Sequence, residues 1–205
     1  MNPDTPQIAP PAVVVPLESF LQRLNLDALF TERQPLEIEL GSGDGSFLTQ
    51  YAGLHRDRNF IGVERLLGRL RKTERKITRL GLTNVRLVRI EASYFLEYLL
   101  PGKLAEALHI YFPDPWPKRK HRKNRLINTR FPQLAQAALV AGGCVYLRTD
   151  DADYFKQMKA VFGTRPEFKE IVTPEELAGG LTDFERGFLK RGVQTLRAAW
   201  QLVAI

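Results

Sequence analysis

Short apolar runs alternate with amphipathic patterns along this chain from residue 36 onward. Apolar runs of this kind are typical of buried strands, and apolar residues three or four positions apart are typical of helices. The alternation predicts strands near 36–40, 60–64, 85–89, 107–112 and 143–149, and helices near 46–55, 66–80, 93–99, 123–140 and 151–162. Strands that alternate with helices indicate βαβ units, which form a parallel sheet with right-handed crossovers. We therefore expect an α/β fold.

The two ends of the chain depart from this alternation. Residues 1–16 contain five prolines around a short apolar run, which predicts a flexible arm. The segment 17–30 predicts an amphipathic helix, with apolar residues near one face at Leu17, Phe20, Leu21, Leu24 and Leu29. The segment 193–200 fits a late strand, for which an antiparallel position at one edge is an option. We expect a single folded domain over 17–205.

Composition bounds the number of domains and the kind of partner. The chain has 205 residues, of which 44% are hydrophobic and 26% are charged, so it can bury one full core. Thirty Lys and Arg residues exceed 23 Asp and Glu residues, and the net charge of +7 favours an acidic partner such as nucleic acid. Six of the eight residues from Lys118 to Arg125 are Lys or Arg, and a second run of seven basic residues extends from Arg65 to Arg79.

Several function classes are disfavoured by what the sequence lacks. The apolar run at 12–15 is too short for a signal peptide core or a membrane span, so we expect a cytoplasmic protein without membrane contact. The single cysteine, Cys144, excludes an intramolecular disulfide and a cysteine-built zinc site. Its apolar neighbours favour a buried structural thiol over a reactive one. We expect no metal, and both a monomer and a homodimer remain open.

Three glycines follow the first predicted strand directly. The run Leu36–Leu40 leads into Gly41, Gly43 and Gly45, so these glycines fall at the turn into the first helix. Nucleotide-like cofactors bind at this crevice of a doubly wound sheet, where glycine lets the backbone approach the ligand closely. The pattern is G-x-G-x-G and differs from the dinucleotide fingerprint, so the turn alone does not identify a cofactor.

Two carboxylates occupy corresponding positions after the next strands. Glu64 ends the second strand about 20 residues later, where a carboxylate can accept hydrogen bonds from both ribose hydroxyls. Glu91 follows the third strand, where the adenine of such a cofactor would lie. Together with the glycine turn, these residues predict a nucleoside-containing cofactor at the carboxyl edge of the sheet.

Acidic residues around the turn favour one cofactor class. A dinucleotide places its pyrophosphate at the helix N-terminus, and Asp44 in that turn would disfavour it. S-adenosylmethionine carries a sulfonium and an ammonium group, which Glu39 and Asp44 would attract. We therefore expect S-adenosylmethionine and methyl transfer, with a nicotinamide-dependent oxidoreductase as the alternative.

A stiff segment with aromatic residues on both sides of a single carboxylate begins at Tyr111. Three prolines between Phe112 and Lys118 limit backbone freedom, so Asp114 can be aimed at little ordering cost. The cationic residues that follow can neutralise phosphates. An enzyme that acts on a base within a polyanion needs both features. The segment alone is also compatible with a proline-rich loop before a solvated basic stretch.

Ordered motifs from about Leu36 to Trp200 closely resemble the bacterial tRNA (guanine-N7-)-methyltransferase family. The motifs are Leu36–Gly45, Phe60–Glu64, Phe112–Lys118, Arg148–Asp150 and Thr182–Glu185. The proline-aspartate-proline-tryptophan motif before a basic segment is highly specific to that family. The resemblance implies a class I S-adenosylmethionine-dependent fold, Rossmann-like and doubly wound, with a mostly parallel seven-stranded sheet and helices on both faces. It also implies methylation of the guanosine at nucleotide 46 in the variable loop of tRNA.

The resemblance assigns roles residue by residue. On the cofactor side it places Glu39, Gly41, Gly43, Gly45, Glu64, Glu91 and Asp114. On the tRNA side it places Lys118, His121, Arg122, Lys123, Asp150, Thr182, Asp183, Phe184 and Glu185. Asp114 is also the catalytic residue that the family pattern implies. Two positions depart from that pattern: Glu91 stands where the family has Asp, and Asn124 replaces an arginine of the basic run.

The chemistry of guanine N7 sets what the protein must supply. N7 carries a lone pair and no proton, so its attack on the sulfonium methyl needs no general base, and positioning supplies most of the acceleration. A carboxylate near the ring, such as Asp114, would favour the positive charge that develops on the base. A catalytically silent RNA-binding module on the same scaffold is a second alternative, against which the intact glycines, Glu64 and Asp114 argue.

Overall fold

A seven-stranded sheet organises the described part of the chain, which in this computed structural model comprises residues 11–178, 185, 187 and 192–203. Its strands are β1 (Leu36–Leu40), β2 (Asn59–Val63), β3 (Val85–Val88), β4 (Ala105–Tyr111), β5 (Leu139–Thr149), β6 (Phe168–Ile171) and β7 (Leu196–Leu202). Their order across the sheet is β3-β2-β1-β4-β5-β7-β6. Strands β1 to β5 pair in parallel, and β7 is antiparallel to both β5 and β6. The expected mostly parallel α/β sheet is confirmed.

Helices cover both faces of this sheet. They are α1 (Ser46–Leu54), α2 (Leu67–Arg79), α3 (Ala92–Tyr94), α4 (Phe131–Ala138), α5 (Ala152–Gly163) and α6 (Glu175–Ala178). A π-helical turn over Phe95–Leu99 continues α3, and short 3-10 helices span Leu26–Ala28 and Arg119–Asn124. Apolar residues of α1 and α2 pack in one buried cluster, and those of α4 and α5 pack in the other. The helices expected near 46–55, 66–80, 93–99 and 151–162 are confirmed.

The helix predicted near 123–140 was wrong in its first half. Helix α4 begins only at Phe131, with Pro132 in its first turn, where the missing N–H of proline is not needed. Strand β5 then starts at Leu139, before the predicted 143–149. Gly142 has φ +81°, and a Cβ on Gly143 would lie 3.0 Å from the Val140 carbonyl, so this part of the strand is irregular and lacks the apolar alternation.

The amphipathic helix predicted over 17–30 was also wrong. Its only helical turn among the described residues is Leu26–Ala28. The Leu24 amide donates to the carbonyl of Leu99 (2.8 Å), so backbone groups of this segment are satisfied by the sheet domain and not by a helix of their own. Phe20 is 55% exposed and Leu21 is 85% exposed, so the apolar positions do not share one buried face.

Part of the predicted N-terminal arm is ordered on the sheet. The Val15 amide donates to the carbonyl of Leu87, and the Leu87 amide donates to the carbonyl of Val13. These bonds form a parallel bridge to β3, and Val15 is buried. Residues 11–16 therefore do not form a free arm, and residues 1–10 lie outside the described part of the chain.

The C-terminal strand has neighbours on both sides. The pattern at 193–200 correctly suggested a strand and its antiparallel direction, but β7 lies between β5 and β6 and not at the edge. The edge strand β6 carries the adjacent polar residues Lys169 and Glu170 in its centre. Its four residues therefore show no alternation of apolar and polar positions that would predict a strand.

One face of the central strands carries polar groups. His109 contacts Glu37 through Nε2 (2.7 Å) and the Tyr111 hydroxyl through Nδ1 (2.8 Å), and all three residues are buried. Burial raises the pKa of Glu37, but its contacts with His109 and Arg58 outweigh burial, so the pKa lies below its usual value. Cys144 lies on the same face and is only half-buried, which corrects the expectation of a buried thiol.

Candidate active site

The glycine turn lies at the carboxyl end of β1 and has a left-handed backbone. Gly41, Gly43 and Gly45 have φ values of +79°, +56° and +74°. A Cβ at Gly45 would lie 2.3 Å from the side chain of Thr73 in α2, so no larger residue fits there without a shift. The glycines are thus required by the backbone and by close packing, as the sequence pattern predicted.

Glu64 holds this turn to the end of β2. Its side chain is buried, and its two oxygens accept bonds from the Gly43 amide (3.0 Å) and from the Leu66 amide (2.7 Å). A carboxylate offers about four lone-pair sites, so two backbone bonds leave capacity for hydroxyl donors. The geometry is compatible with the predicted ribose contact, which stays a prediction.

Glu39 is a deeply buried acid at this edge. Its Oε2 and the Oγ of the neighbouring Ser42 are buried without a hydrogen-bond partner among the described residues. Burial raises the pKa of Glu39 well above its usual range, although the nearby Arg148 acts to lower it and the carboxylates of Asp44 and Glu64 act to raise it. Buried polar atoms without partners are costly, and a bound ligand would satisfy them. A cationic ligand group in particular would stabilise the charged carboxylate.

Asp44 is less available to a cofactor than the sequence suggested. It accepts bonds from the Ser46 hydroxyl (2.8 Å) and from Lys76 Nζ (3.0 Å). Lys76 thus compensates its charge, so the argument that Asp44 repels a pyrophosphate is weakened. The preference for a cationic cofactor depends on Glu39 instead.

Glu91 caps α3. Its carboxylate accepts bonds from the Tyr94 amide (2.8 Å) and from the Ser93 hydroxyl (3.2 Å), and the residue is solvent-exposed. This is the usual role of an acid at a helix N-terminus. The predicted contact with adenine would have to be made by a carboxylate that already has this role.

The proline loop, residues 112–118, leaves the end of β4 with a strained backbone. Phe112 and Trp116 have φ values of +51° and +44°, which are uncommon for aromatic residues. Phe112 packs partly against the cluster that contains α1 and α2, whereas Trp116 is half-buried with its ring edge-on to His121 at 5.8 Å. Asp114 lies between them with 73% of its side chain exposed. Such strain is typical of functional sites.

A buried arginine holds this loop from behind. Arg125 is 1% exposed, and its guanidinium donates to the Pro115 carbonyl, to Gln157 and to Asp153, each at 2.7 Å. The same group lies over the ring of Tyr154 at 4.7 Å. Sequence patterns do not distinguish Arg125 from the other members of the basic run, because its side-chain partners come from helix α5, about 30 residues later.

The rest of the basic segment faces solvent. Lys118, Arg119, Lys120, Arg122 and Lys123 are exposed, and His121 is half-buried beside Trp116. Arg122 pairs with Asp153 at 3.1 Å, and both side chains are substantially exposed, so this pair contributes little to stability. These positions are accessible to a polyanion, as their assignment to the tRNA side requires.

The remaining assigned residues fall into three situations. Asp150 is exposed at the end of β5. Glu185 is buried and pairs with Arg148 (2.9 Å) and with Arg197 (3.0 Å), an arrangement that favours a structural role over direct contact with a base. Thr182, Asp183 and Phe184 lie outside the described residues.

The described part of the chain contains neither a candidate metal site nor a candidate membrane-spanning helix. No group of three or more His, Cys, Asp or Glu side chains there could hold a metal ion. None of the helices described above is long and apolar enough to cross a membrane.

Comparisons with known proteins agree with this geometry. A protein-family model described as "Putative methyltransferase" matches residues 33–198. Among solved structures, the 16S rRNA methyltransferase KamB superposes with a TM-score of 0.65 over 89% of this chain and 95% of its own, at 14% identity, which shows a shared fold.

Curated relatives narrow the family. The tRNA (guanine-N(7)-)-methyltransferase of Syntrophotalea carbinolica is 35% identical over 85% of this chain and 77% of its own length. The enzyme of the same name from Alkalilimnicola ehrlichii is 32% identical over 84% of this chain and 75% of its own. With this identity over most of both sequences, the chain belongs to the tRNA (guanine-N(7)-)-methyltransferase family.

Proposed function

We propose that the protein transfers the methyl group of S-adenosylmethionine to N7 of the guanosine at nucleotide 46 in the variable loop of tRNA. The names of its relatives support this reaction. The proposal also places the protein in the cytoplasm, where such a substrate is found. The site is consistent with it at three levels: the cofactor pocket, the catalytic loop and the surface for RNA.

One observation carries the proposal: an exposed carboxylate and two buried acids lie at the same edge of the sheet. Asp114 follows β4, and the buried Glu39 and Glu64 belong to the ends of β1 and β2. Arg65, which follows Glu64 directly, approaches Asp114 to 4.0 Å. A small ligand held by the buried acids and a base on the surface could therefore meet at Asp114.

Glu39, Ser42 and Glu64 would hold the cofactor. The buried oxygens of Glu39 and Ser42 that lack partners suit polar or cationic groups, and Glu64 retains acceptor capacity for hydroxyls. When bound there, S-adenosylmethionine supplies an electrophilic methyl group on a positively charged sulfur.

Asp114 has an electrostatic role in this proposal. Guanine N7 needs no deprotonation, so the protein must orient the base and favour its new positive charge. A carboxylate does both when it accepts a hydrogen bond from the base. Arg125 holds the backbone next to Asp114 through the Pro115 carbonyl, so this part of the loop needs little ordering when the base arrives.

A methyl-transfer assay with a matched substrate tests the function. Labelled S-adenosylmethionine should methylate a tRNA transcript, and mapping should place the label at nucleotide 46. The matched control is the same transcript with 7-deazaguanosine at that nucleotide, which lacks N7. It should bind with equal affinity and accept no label. Methylation of the control, or label at another atom or nucleotide, would contradict the proposal.

A further inference from the structure

Helix α2 has a dense basic surface that the proposed reaction centre does not use. We call Arg69, Arg71, Lys72, Arg75 and Arg79 the α2 basic face; all five are exposed. None of their side chains forms a hydrogen bond or ion pair with any residue that the structure describes. Within the described part of the chain, no side chain therefore pairs directly with these five charges.

The distribution of charge in α2 is unusual for a helix that merely faces water. Leu70, Thr73 and Ile77 face the sheet, and at 100° per residue the cations fall on the other sides of the helix. Glu74 is the sole acid between Leu67 and Arg79. Solvated helices commonly alternate charge, and like charges at i,i+4, as in Arg71, Arg75 and Arg79, are destabilising. An anionic partner would remove this repulsion.

The inner side of α2 is attached to the cofactor turn. Thr73 Oγ1 donates to the Gly43 carbonyl at 3.2 Å, and Lys76 Nζ contacts Asp44 at 3.0 Å. Arg65, just before the helix, lies 4.0 Å from Asp114. The α2 basic face is thus presented by an anchored helix, and Arg65 connects the start of that helix to the exposed Asp114.

We propose that the α2 basic face binds the sugar-phosphate backbone of the tRNA substrate as a second contact, separate from the basic segment 118–123. The inference rests on the proposed function for the identity of the RNA. A helix of this length spans about 20 Å, enough for several phosphates. Once the tRNA is bound at one basic surface, its phosphates reach the second surface at a high effective concentration, which strengthens the overall affinity.

Two variants with the same change in charge test this contact. The first is Arg71→Gln, Lys72→Gln, Arg75→Gln and Arg79→Gln, which keeps helix propensity because Gln is close to Arg and Lys on that scale. The control is Arg33→Gln, Lys103→Gln, Lys159→Gln and Lys169→Gln, which removes four exposed cations that lie outside α2 and outside the segment 118–123. Neither variant should have a lower melting temperature, and both should keep the affinity for S-adenosylmethionine.

The readout is tRNA affinity as a function of salt. The α2 variant should bind tRNA roughly ten- to thirtyfold more weakly at 0.1 M salt, with a log–log salt slope smaller by roughly 3, since each phosphate contact contributes about 0.7 to 0.9. The control should stay near wild type in both. The single-turnover rate at saturating tRNA should be unchanged in both variants.

Three outcomes overturn the inference. An unchanged tRNA affinity and slope in the α2 variant would show that this face does not bind the RNA. Equal losses in both variants would show only an effect of net charge. Loss of binding to phosphatidylserine vesicles with unchanged tRNA affinity would assign the face to a membrane. If the wild-type enzyme does not methylate tRNA, the proposed function fails instead, and the binding assay still tests the contact.

Discussion

The glycine turn and the proline loop lie at the same edge of the sheet but are built in different ways. In the turn, buried side chains such as Glu64 and Thr73 satisfy the backbone from inside the domain. In the loop, the carboxylate of Asp114, for which we propose the catalytic role, is exposed, and one buried arginine fixes the backbone from behind. A small cofactor can be enclosed, whereas a base attached to a large RNA must be met at the surface. The difference predicts which substitutions affect folding, binding or chemistry.

Glu185 gives the strongest test of whether a buried side chain acts in folding and an exposed one in binding or chemistry. If burial marks a structural group, Glu185→Ala should lower the free energy of unfolding by about 3–5 kcal/mol, because it leaves the buried Arg148 without this carboxylate. Denaturant unfolding measures the change. Methylation and tRNA affinity should then fall together. A fully stable variant that lost only methylation would restore the direct contact with guanosine expected from the sequence.

Asp114→Ala should have the largest effect on chemistry. Loss of a preorganised electrostatic contact should slow single-turnover methylation by about a hundredfold, with folding and tRNA binding retained. The wild-type rate should be nearly flat from about pH 6 to pH 9, because guanine N7 carries no proton for a general base to remove. A rate that rose tenfold per pH unit through neutrality would instead require a general base.

Glu64→Ala should act on the cofactor turn. Loss of the charge-assisted contact to ribose hydroxyls should weaken S-adenosylmethionine roughly ten- to a hundredfold, equivalent to about 1.5–3 kcal/mol. Calorimetry measures the affinity, and circular dichroism checks that the turn remains folded. An unchanged affinity in a folded variant would remove Glu64 from the cofactor site.

Arg125→Gln should remove a contact that holds the proline loop and leave the glycine turn unchanged. We expect about a tenfold lower single-turnover rate, because a catalytic group that is poorly held loses its orientation, and an unchanged cofactor affinity. Arg122→Gln is the matched comparison, since Arg122 contacts the same Asp153 but is exposed. It should weaken tRNA binding without changing the rate at saturation. Equal effects of both substitutions would mean that Arg125 also acts through charge alone.

Glu39→Gln should give the smallest effect of these substitutions. It should raise the free energy of unfolding, whereas Glu185→Ala should lower it. Burial raises the pKa of Glu39, so in the folded free enzyme ionisation is unfavourable, and stability is lost as pH rises through that pKa. The neutral variant escapes this loss, and a gain of about 1 kcal/mol would raise the melting temperature by about 2–4 °C at pH 8. The variant should also bind S-adenosylmethionine more weakly, with less proton release in calorimetry.

Sequence patterns predicted the features that depend on local order. The alternation of strands and helices, the glycine turn and the position of Glu64 follow from residues close together in the chain. The role of Arg125 does not, because it depends on contacts with α5 that only the folded domain creates. The engagement of Asp44 by Lys76 and of Glu185 by Arg148 was missed for the same reason.

The helix prediction for the segment 17–30 was wrong for a different reason. Apolar residues at helical spacing can be buried one by one by a chain that crosses the domain, and Leu24 and Leu29 pack against the core in this way. Spacing alone cannot distinguish this from a helix when tertiary contacts override local preference. The helix prediction for 123–140 was wrong in its first half for a similar reason. Arg125 is held by contacts with α5, and helix α4 begins only at Phe131, with Pro132 in its first turn.

The bridge between residues 13–15 and β3 has a consequence for self-association. An edge strand presents unpaired amide and carbonyl groups to which a second chain can add, and natural proteins protect such edges. At one edge of this sheet, Val13 and Val15 occupy the backbone groups of Leu87. At the other edge, β6 is short and carries Lys169 and Glu170. A chain that begins at residue 17 would keep the second protection and lose the first, so its apolar β3 edge would be open to strand addition and aggregation.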